Sequence, residues 1–408
     1  MHWKIDTDLT MVVIGLGYVG LPTALAFSKK YKTIGVDTNL ARINVLKAEY
    51  STSEVSFESN IPKVIGRKVF IVTVPTPVNE NKEPDLSHLI DASSSIAKVL
   101  ESGDVVIYES TTFPGCTEEV CIPELIAGSN LELNTDFGVG YSPERINPGA
   151  QENILEIVRI TSGSNGAVSA FVDALYQSIL RVKTYQAPSI KIAEAAKLVE
   201  NCQRDVNISF VNELALIFDK MGLSTAEVLD AARTKWNFLD FRPGLVGGHC
   251  ISVDPYYMIH KSKTLGYIPQ VIGAGRRVNE DMGKFVAHTC MKLMTKRNIP
   301  LLGSKALILG FAYKANCSDF RNTQVIDLYH ELVDFGLEVD LVDAMVDSKK
   351  VWSTYGVQIK ELEDPNAYDL IIHAVPHDSF KNLYKSIKQK VIFDVSGAWP
   401  MAYIDGTL

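Results

Sequence analysis

The segment Gly247-Gly248-His249-Cys250-Ile251-Ser252-Val253-Asp254 places a thiol four residues before a carboxylate. If the segment turns helically, both groups reach one site. A thiol has a particular use in alcohol oxidation. One oxidation, to the aldehyde, needs none. A second does: thiolate addition gives a thiohemiacetal, loss of hydride leaves a thioester, and water cleaves it. Two glycines before the cysteine allow a bound substrate to approach the backbone closely. The ordinary reading of one cysteine is a small buried apolar residue. The flanking glycines and polar residues weaken that reading here.

Other candidates lie elsewhere in the chain. In Glu194-Ala-Ala-Lys197-Leu-Val-Glu200-Asn201, Lys197 and Asn201 are one helical turn apart and share a face. A cation and an amide donor so placed stabilise an alkoxide or tetrahedral oxyanion, or hold a water; most helix lysines are merely solvated. In Tyr141-Ser-Pro-Glu144-Arg145-Ile-Asn147, Glu144 suits a general base for thioester hydrolysis and Arg145 suits an anionic substrate. An ordinary charged turn is the alternative.

Strand-like Met11–Ile14 runs into Gly15-Leu16-Gly17-Tyr18-Val19-Gly20 and then a helical pattern. Glycine at the first, third and sixth places gives a tight turn, close approach of the backbone to a pyrophosphate, and close helix–strand packing. Asp37 closes the next strand at the spacing of a residue that accepts from the adenosine ribose hydroxyls, which favours NAD over NADP. Arg42 either softens that preference or flanks the adenine. Thr76 and Thr111 end two further strands, on the sheet edge where ligands bind in such folds. Taken singly, each is as easily a plain turn residue.

These residues need a scaffold. Met11–Ile14, Thr33–Val36, Val69–Val74, Val105–Tyr108 and Phe137–Tyr141 read as buried strands, with helices such as Leu21–Lys30 and Leu86–Leu100 between them. From Ser189 to Ala232 long helices are expected, broken near Gly222, with Ser224 capping the next. Ala306–Gly310, Val339–Val342, Leu370–Ala374 and Val391–Val395 return to strand, with a helix over Thr323–Phe335. The expected class is α/β: an N-terminal Rossmann domain (1–187), a central long-helix region carrying the cysteine segment (188–300), and a C-terminal Rossmann-like α/β domain (301–408).

At 408 residues, 46% hydrophobic and 22% charged, the chain has globular composition and length for two or three domains. A net charge of −8 argues against nucleic acid. The six cysteines lack paired metal spacing and read as reduced thiols, so no metal is expected. No apolar run suits a membrane span and no basic leader opens the chain, so a soluble cytoplasmic protein is expected.

Together the stretches GLGYVGLP, VPTP, ESTTFPGCT, YSPERINPG, EAAKLVEN, RPGLVGGHCISVDPYY and GFAYKANCSDFRNT resemble, in order and over essentially the whole chain, the nucleotide-sugar 6-dehydrogenases that oxidise UDP-glucose, GDP-mannose and UDP-N-acetylhexosamines. The resemblance implies two NAD-dependent oxidations at C6 of a nucleotide-activated hexose. YSPERINPG and KWNFLDFRPGLVGGHC resemble the acetamido branch, with UDP-N-acetylglucosamine first, UDP-N-acetylgalactosamine next, and UDP-N-acetylmannosamine or UDP-glucose as alternatives, in capsule and Vi-type polysaccharide synthesis. It makes Cys250 the nucleophile, Lys197 and Asn201 the oxyanion and water-positioning groups, Asp254 their acid–base support and Glu144 the hydrolytic base. It places Thr111 near C6 and the nicotinamide, has Lys314 and Arg321 contact the phosphates of substrate and cofactor, and adds Arg145, Asn147, Arg242 and Gly247 as substrate contacts. It implies a homodimer or dimer of dimers joined through the central helix, and a C-terminal domain that binds the UDP moiety. Two departures stand out: Pro148 replaces the family's second glutamate, and the stretch from Lys47 to Lys68, on the adenine side, is short. Two other classes compete. A two-electron hydroxyacid dehydrogenase would need no cysteine, and a non-catalytic nucleotide-sugar or NAD-binding regulator would need none of the chemical residues.

Overall fold

The computed structural model describes residues 3–5, 8–145, 154–388 and 390–408. The chain divides into two compact units, residues 1–200 with 256–267, and residues 201–255 with 268–408.

The first unit alternates strand and helix: β1 (Thr10–Ile14), α1 (Gly20–Ser28), β2 (Lys32–Val36), α2 (Leu40–Glu49), β3 (Val55–Glu58), β4 (Lys68–Val72), α3 (Ser87–Ala97), β5 (Val105–Tyr108), α4 (Ile122–Ser129), β6 (Gly138–Tyr141), β7 (Ile160–Gly163), α5 (Gly166–Ile179) and β8 (Tyr185–Gln186). The strands form one sheet in the order β3-β2-β1-β4-β5-β6-β7-β8. Every pairing is parallel except β6 with β7. A parallel sheet covered on both faces needs apolar side chains on both sides, which is why β1, β4 and β5 read as continuous apolar runs. Met11, Val13, Val69, Ile71, Val105 and Ile107 pack with Phe27 of α1 and Phe171 and Leu175 of α5.

Helix α6 (Ile190–Met221) runs from the first unit into the second without an interior Gly or Pro. Gly222, at φ 69°, ends it, with Leu223 N–H donating back to Phe218 O (3.0 Å). Ser224 then caps α7 (Thr225–Ala232) by accepting from Glu227 N–H. The break and the cap stand where the sequence places them. Helices α8 (Asp254–Thr264) and α9 (Gln270–Lys296) follow, both inside the stretch 188–300 expected to be helical, although the sequence does not single out the bounds of α9.

The second unit adds β9 (Lys305–Leu309), α10 (Val325–Asp334), β10 (Glu338–Val342), α11 (Ser348–Tyr355), β11 (Ile359–Lys360), β12 (Leu370–His373), β13 (Val391–Asp394) and β14 (Gly406–Thr407). They form an all-parallel sheet in the order β11-β10-β9-β12-β13-β14. Met282, Val286, Cys290 and Met294, each four residues on, give α9 an apolar stripe against Ile308, Ile372, Leu328 and Leu332. Predicted strands end one or two residues later than observed ones, at 74, 310, 374 and 395, because the last residues already belong to the turns. In both sheets the strand order reverses beside the first strand of the unit, β1 or β9, which opens a crevice at the carboxyl edge. Among the described residues no helix is long and apolar enough to cross a membrane.

Candidate active site

In the first unit, β1 ends at Ile14 and the chain turns through Gly15 at φ 90°. A Cβ on Gly15 would stand 2.9 Å from the Thr73 carbonyl oxygen, and one on Gly20 would stand 1.8 Å from Gly15 O. Both glycines are therefore required by the chain's own packing. Gly17 is different: it is exposed, and a Cβ there would meet nothing within 4 Å. Its lack of a side chain serves something other than the fold. Tyr18 is also exposed, and Val19 is the N-cap of α1, whose first N–H groups no described side chain caps. An open glycine before an uncapped helix N-terminus fits a pyrophosphate. Asp37 secures the turn from β2: Oδ2 accepts from Leu16 N–H and Oδ1 from Asn39 N–H, each at 2.9 Å. Arg42 is drawn onto the same turn, its Nε donating to Leu16 O at 3.3 Å. The short 47–68 stretch contributes β3 as the edge strand, with Asp37 N–H donating to Glu58 O.

Two strand-end segments on this edge are tied together. Thr76 Oγ1 donates to Thr111 O at 2.7 Å, and the buried Tyr257 hydroxyl donates to Thr76 O at 3.0 Å. Lys197 is buried, and it makes no hydrogen bond or ion pair with any described residue. That is not the solvated lysine of an ordinary helix face, and an amine so placed suits an anionic or developing-anionic ligand.

Glu144 belongs to a buried ion cluster that the sequence did not suggest. Arg159, fully buried, pairs through Nη1 with Glu109 Oε2 (3.0 Å) and through Nη2 with Glu144 Oε2 (3.3 Å). The Tyr176 hydroxyl donates to Glu109, and its ring lies 5.5 Å from the guanidinium carbon. Burial pushes Glu109 up and would lower Arg159, but the two carboxylates outweigh burial and hold the guanidinium above its usual range. Arg145 pairs with Glu200 and donates to Val158 O (3.0 Å). Asn147 and Pro148 lie outside the described residues.

In the second unit the cysteine segment turns helically: Asp254 N–H donates to Cys250 O at 2.8 Å as α8 begins. Asp254 is buried and accepts from Asn201 Nδ2. None of the six cysteines is in a disulfide; Cys250 is half-buried and the other five are buried. Burial, with the Asp254 and Asp205 charges, pushes neighbouring Cys202 up to about 12. The two glycines have a packing role that the sequence reading did not give them. A Cβ on Gly247 would stand 2.9 Å from Asn322 O, and one on Gly248 3.1 Å from the Tyr313 ring. They let the thiol loop lie against the segment after β9.

That segment supplies positive charge. Arg321 grips Asp319 (Nε–Oδ1 2.9 Å, Nη2–Oδ2 2.6 Å), and its Nη2 is 3.2 Å from His249 Nδ1. Burial would push Asp319 up, but the bonds from His249 and Arg321 outweigh it and hold the carboxyl far below its usual range. Tyr313 is pushed up to about 12, first by burial and then by the charges of Cys317, Asp319 and Cys250. Lys314 and Gly247 both line a cavity of about 140 Å³, with Thr323, Val375 and Ser396. Arg242 is engaged elsewhere, with Asp230 Oδ1 (2.9 Å) and Asp240 Oδ1 (3.0 Å). Among the described residues no group of three His, Cys, Asp or Glu gathers to hold a metal ion.

The Gly15–Gly20 turn, with an open glycine before an uncapped helix N-terminus at the edge of a parallel sheet, defines a dinucleotide-binding protein of the Rossmann class. The UDP-glucose/GDP-mannose dehydrogenase family matches through its NAD binding domain at residues 9–180, its central domain at 191–281 and its UDP binding domain at 307–400. The UDP-N-acetyl-D-glucosamine 6-dehydrogenases of Pseudomonas aeruginosa and Salmonella typhi are each 49% identical to the chain, over 92% of it and 92% of their own length. The solved UDP-D-ManNAc dehydrogenase of Pyrococcus horikoshii is 29% identical, covers 98% of both chains and superposes with a TM-score of 0.87. The chain thus belongs to the UDP-glucose/GDP-mannose dehydrogenase family and is an NAD-dependent nucleotide-sugar dehydrogenase.

Proposed function

We propose that the protein converts UDP-N-acetylglucosamine to its C6 uronate, with two NAD reduced per sugar, in bacterial surface-polysaccharide synthesis. The observation that carries this reading is Cys250: the one half-buried thiol of six, on a turn that opens α8 beside the Asn201–Asp254 pair. The 49% identity to UDP-N-acetyl-D-glucosamine 6-dehydrogenases, against 29% to the UDP-D-ManNAc enzyme, supports the glucosamine epimer. UDP-N-acetylgalactosamine is the second candidate.

The Gly15–Gly20 turn, Asp37, Arg42, Thr76 and Arg321 would hold NAD, which when bound would supply the hydride acceptor for both oxidations. Lys197 and Asn201 stabilise oxygen charge at C6, and Thr111 holds the reacting hydroxymethyl group. The Cys250 thiolate then adds to the C6 aldehyde, forming a C–S bond as the C=O π bond opens to an alkoxide; loss of the remaining C6 hydride re-forms C=O and leaves a thioester on Cys250. Glu144 draws a proton from water, the water oxygen bonds to C6, the C–S bond breaks, and the thiol regains a proton with Asp254 in support. Gly247, Lys314, Arg145, Asn147 and Arg242 bind the substrate, with Arg242 first released from its two aspartates. The enzyme acts in the cytoplasm as a homodimer or dimer of dimers. Exposed Val199, Phe210, Ile217 and Met221 along α6 supply an apolar face for that assembly.

The test is a panel of UDP-glucose, UDP-N-acetylglucosamine, UDP-N-acetylgalactosamine and UDP-N-acetylmannosamine, with NADH counted per sugar. Two NADH and preferred turnover of UDP-N-acetylglucosamine are expected, and Cys250→Ala abolishes uronate. Turnover of UDP-glucose alone sinks the branch assignment, and uronate from Cys250→Ala at the wild-type rate sinks the covalent relay.

A further inference from the structure

The buried carboxylate of Glu194 has no part in the chemistry above, yet it joins two pieces of it. Glu194 is fully buried on α6, one turn before Lys197. Its Oε2 accepts from Gly115 N–H (2.5 Å), and its Oε1 accepts from both Thr117 N–H (2.9 Å) and Thr117 Oγ1 (2.7 Å). All three donors belong to the loop that leaves Thr111 and enters the helical turn Thr117–Cys121 before α4. Two are backbone N–H groups at a helix start, which have no partner within their own helix.

We propose that Glu194 is a positioning residue that fixes the Thr111 loop to the Lys197 helix, and that only its ionised form holds the working geometry. The inference rests on the reading of Thr111 and Lys197 as reaction-centre groups. The physical case is the convergence of three donors on one carboxylate. A proton on Oε2 would point at the Gly115 N–H, a donor facing a donor. A proton on Oε1 would force the Thr117 hydroxyl to turn around. Either way charge-assisted bonds become neutral ones of roughly half the strength. Burial dominates the acidity and pushes Glu194 up to about 7; the Thr117 and Gly115 bonds pull the other way, and the Glu118 charge adds to burial. The other charged groups around it are already committed. Lys191, on α6, pairs with Glu118 at 3.3 Å, and Lys261, on α8, holds Glu119 at 2.7 Å. The Cys121 thiol faces Glu194 and is buried.

The experiment is the pH profile of kcat for the full-length enzyme at saturating NAD and sugar. Wild type should show an acidic limb centred near pH 7, so that kcat at pH 6 is about a tenth of its plateau. Thr117→Val removes a bond that favours the ionised form and moves the limb to higher pH, by about half a unit or more. Thr117→Ser restores the wild-type midpoint. Glu194→Gln lowers kcat about tenfold or more and removes the limb. A purely structural role predicts that each variant lowers kcat by one factor at every pH, with the limb unmoved, and that result overturns the proposal. So does a limb that survives in Glu194→Gln. If Glu194→Gln does not fold, the Thr117→Val and Thr117→Ser pair decides. Lys197→Ala separates the two levels: full turnover there removes the underlying reading, whereas lost turnover together with an unmoved limb removes this inference alone.

Discussion

Replacing Gly17 and Gly20 by alanine, one at a time, separates what the fold needs from what the cofactor needs. At Gly20 the added methyl would stand 1.8 Å from Gly15 O and 2.4 Å from Thr73 Oγ1, neither of which is the end of a flexible side chain. The start of α1 must retreat by more than an ångström, and overpacking of this kind costs about 1–3 kcal/mol of stability. At Gly17 the methyl meets no protein atom within 4 Å and the backbone is not in the left-handed region, so folding stability should hardly change. The same methyl fills the approach to the first N–H groups of α1. If a pyrophosphate must close to hydrogen-bond distance there, a comparable misfit of about 1–3 kcal/mol raises the KM for NAD roughly 5- to 150-fold. The assays are initial rates against NAD and thermal melts without nucleotide. Gly20→Ala should lose both stability and NAD affinity, whereas Gly17→Ala should lose affinity alone. An unchanged KM for NAD in Gly17→Ala would refute the reasoning, and so would a melting temperature that falls as far as in Gly20→Ala.

Two further outcomes concern buried charge. Arg159→Met leaves Glu109 and Glu144 without their shared cation and should cost about 3–5 kcal/mol of stability; a loss below about 1 kcal/mol in denaturant titration would mean that the cluster is not what braces β5, β6 and β7. Glu194 has a folded-state pKa raised from 4.5 to about 7. Its contribution is therefore fully present below pH 4.5 and lost as pH rises through 7. Wild type should lose up to about 3 kcal/mol relative to Glu194→Gln between pH 5 and 8, and parallel stability curves for the two proteins would contradict that. The stability and activity of Glu194 thus run in opposite directions with pH.

What the sequence made legible is what a ligand or a fully buried sheet imposes locally. The Gly15–Gly20 turn and Asp37 could be read because a pyrophosphate and a ribose demand those residues at those spacings. Strands β1, β4, β5, β9 and β12 could be read because burial on both faces turns them into apolar runs. The bounds of helix α9 could not, since glycines at 273, 275 and 283 look like breaks. For two of them the reason is tertiary: a Cβ on Gly275 would stand 2.7 Å from Ser209 Oγ, and one on Gly283 2.9 Å from Gln324 O. Strand β3 is a four-residue edge with exposed Ser56, too short and too mixed to stand out. Glu194 stood in view inside a helical pattern, but a glutamate there reads as a solvated face until its burial is known. Arg159 and Glu109 are fifty residues apart and meet only in the folded chain.

The two units also build the same turn with opposite consequences, which explains why only one was recognisable. Gly15 (φ 90°) donates to Val36 O, and Gly310 (φ 95°) donates to Val342 O, each at 2.8 Å. Asp37 and Asp343 then follow β2 and β10 and accept from the backbone of the turn. An ionised carboxylate has about four acceptor positions. Asp37 uses two, on Leu16 and Asn39, and retains capacity for a ribose diol. Asp343 takes Phe311 N–H (2.7 Å), Ala312 N–H (2.9 Å), Met345 N–H (2.8 Å) and His377 Nε2 (3.0 Å). Burial would push Asp343 up, and these bonds outweigh it. His377 in turn accepts from Asn316 N–H through Nδ1 (2.9 Å), so its proton lies on Nε2 and its ring clamps the loop that carries Lys314. With four donors already on Asp343, three of them on Oδ2, the second turn has less capacity to grip a ribose than the first. It needs no second and third glycine, and it is left to hold the Tyr313–Asn316 loop rigid beside the cavity that Lys314 and Gly247 line.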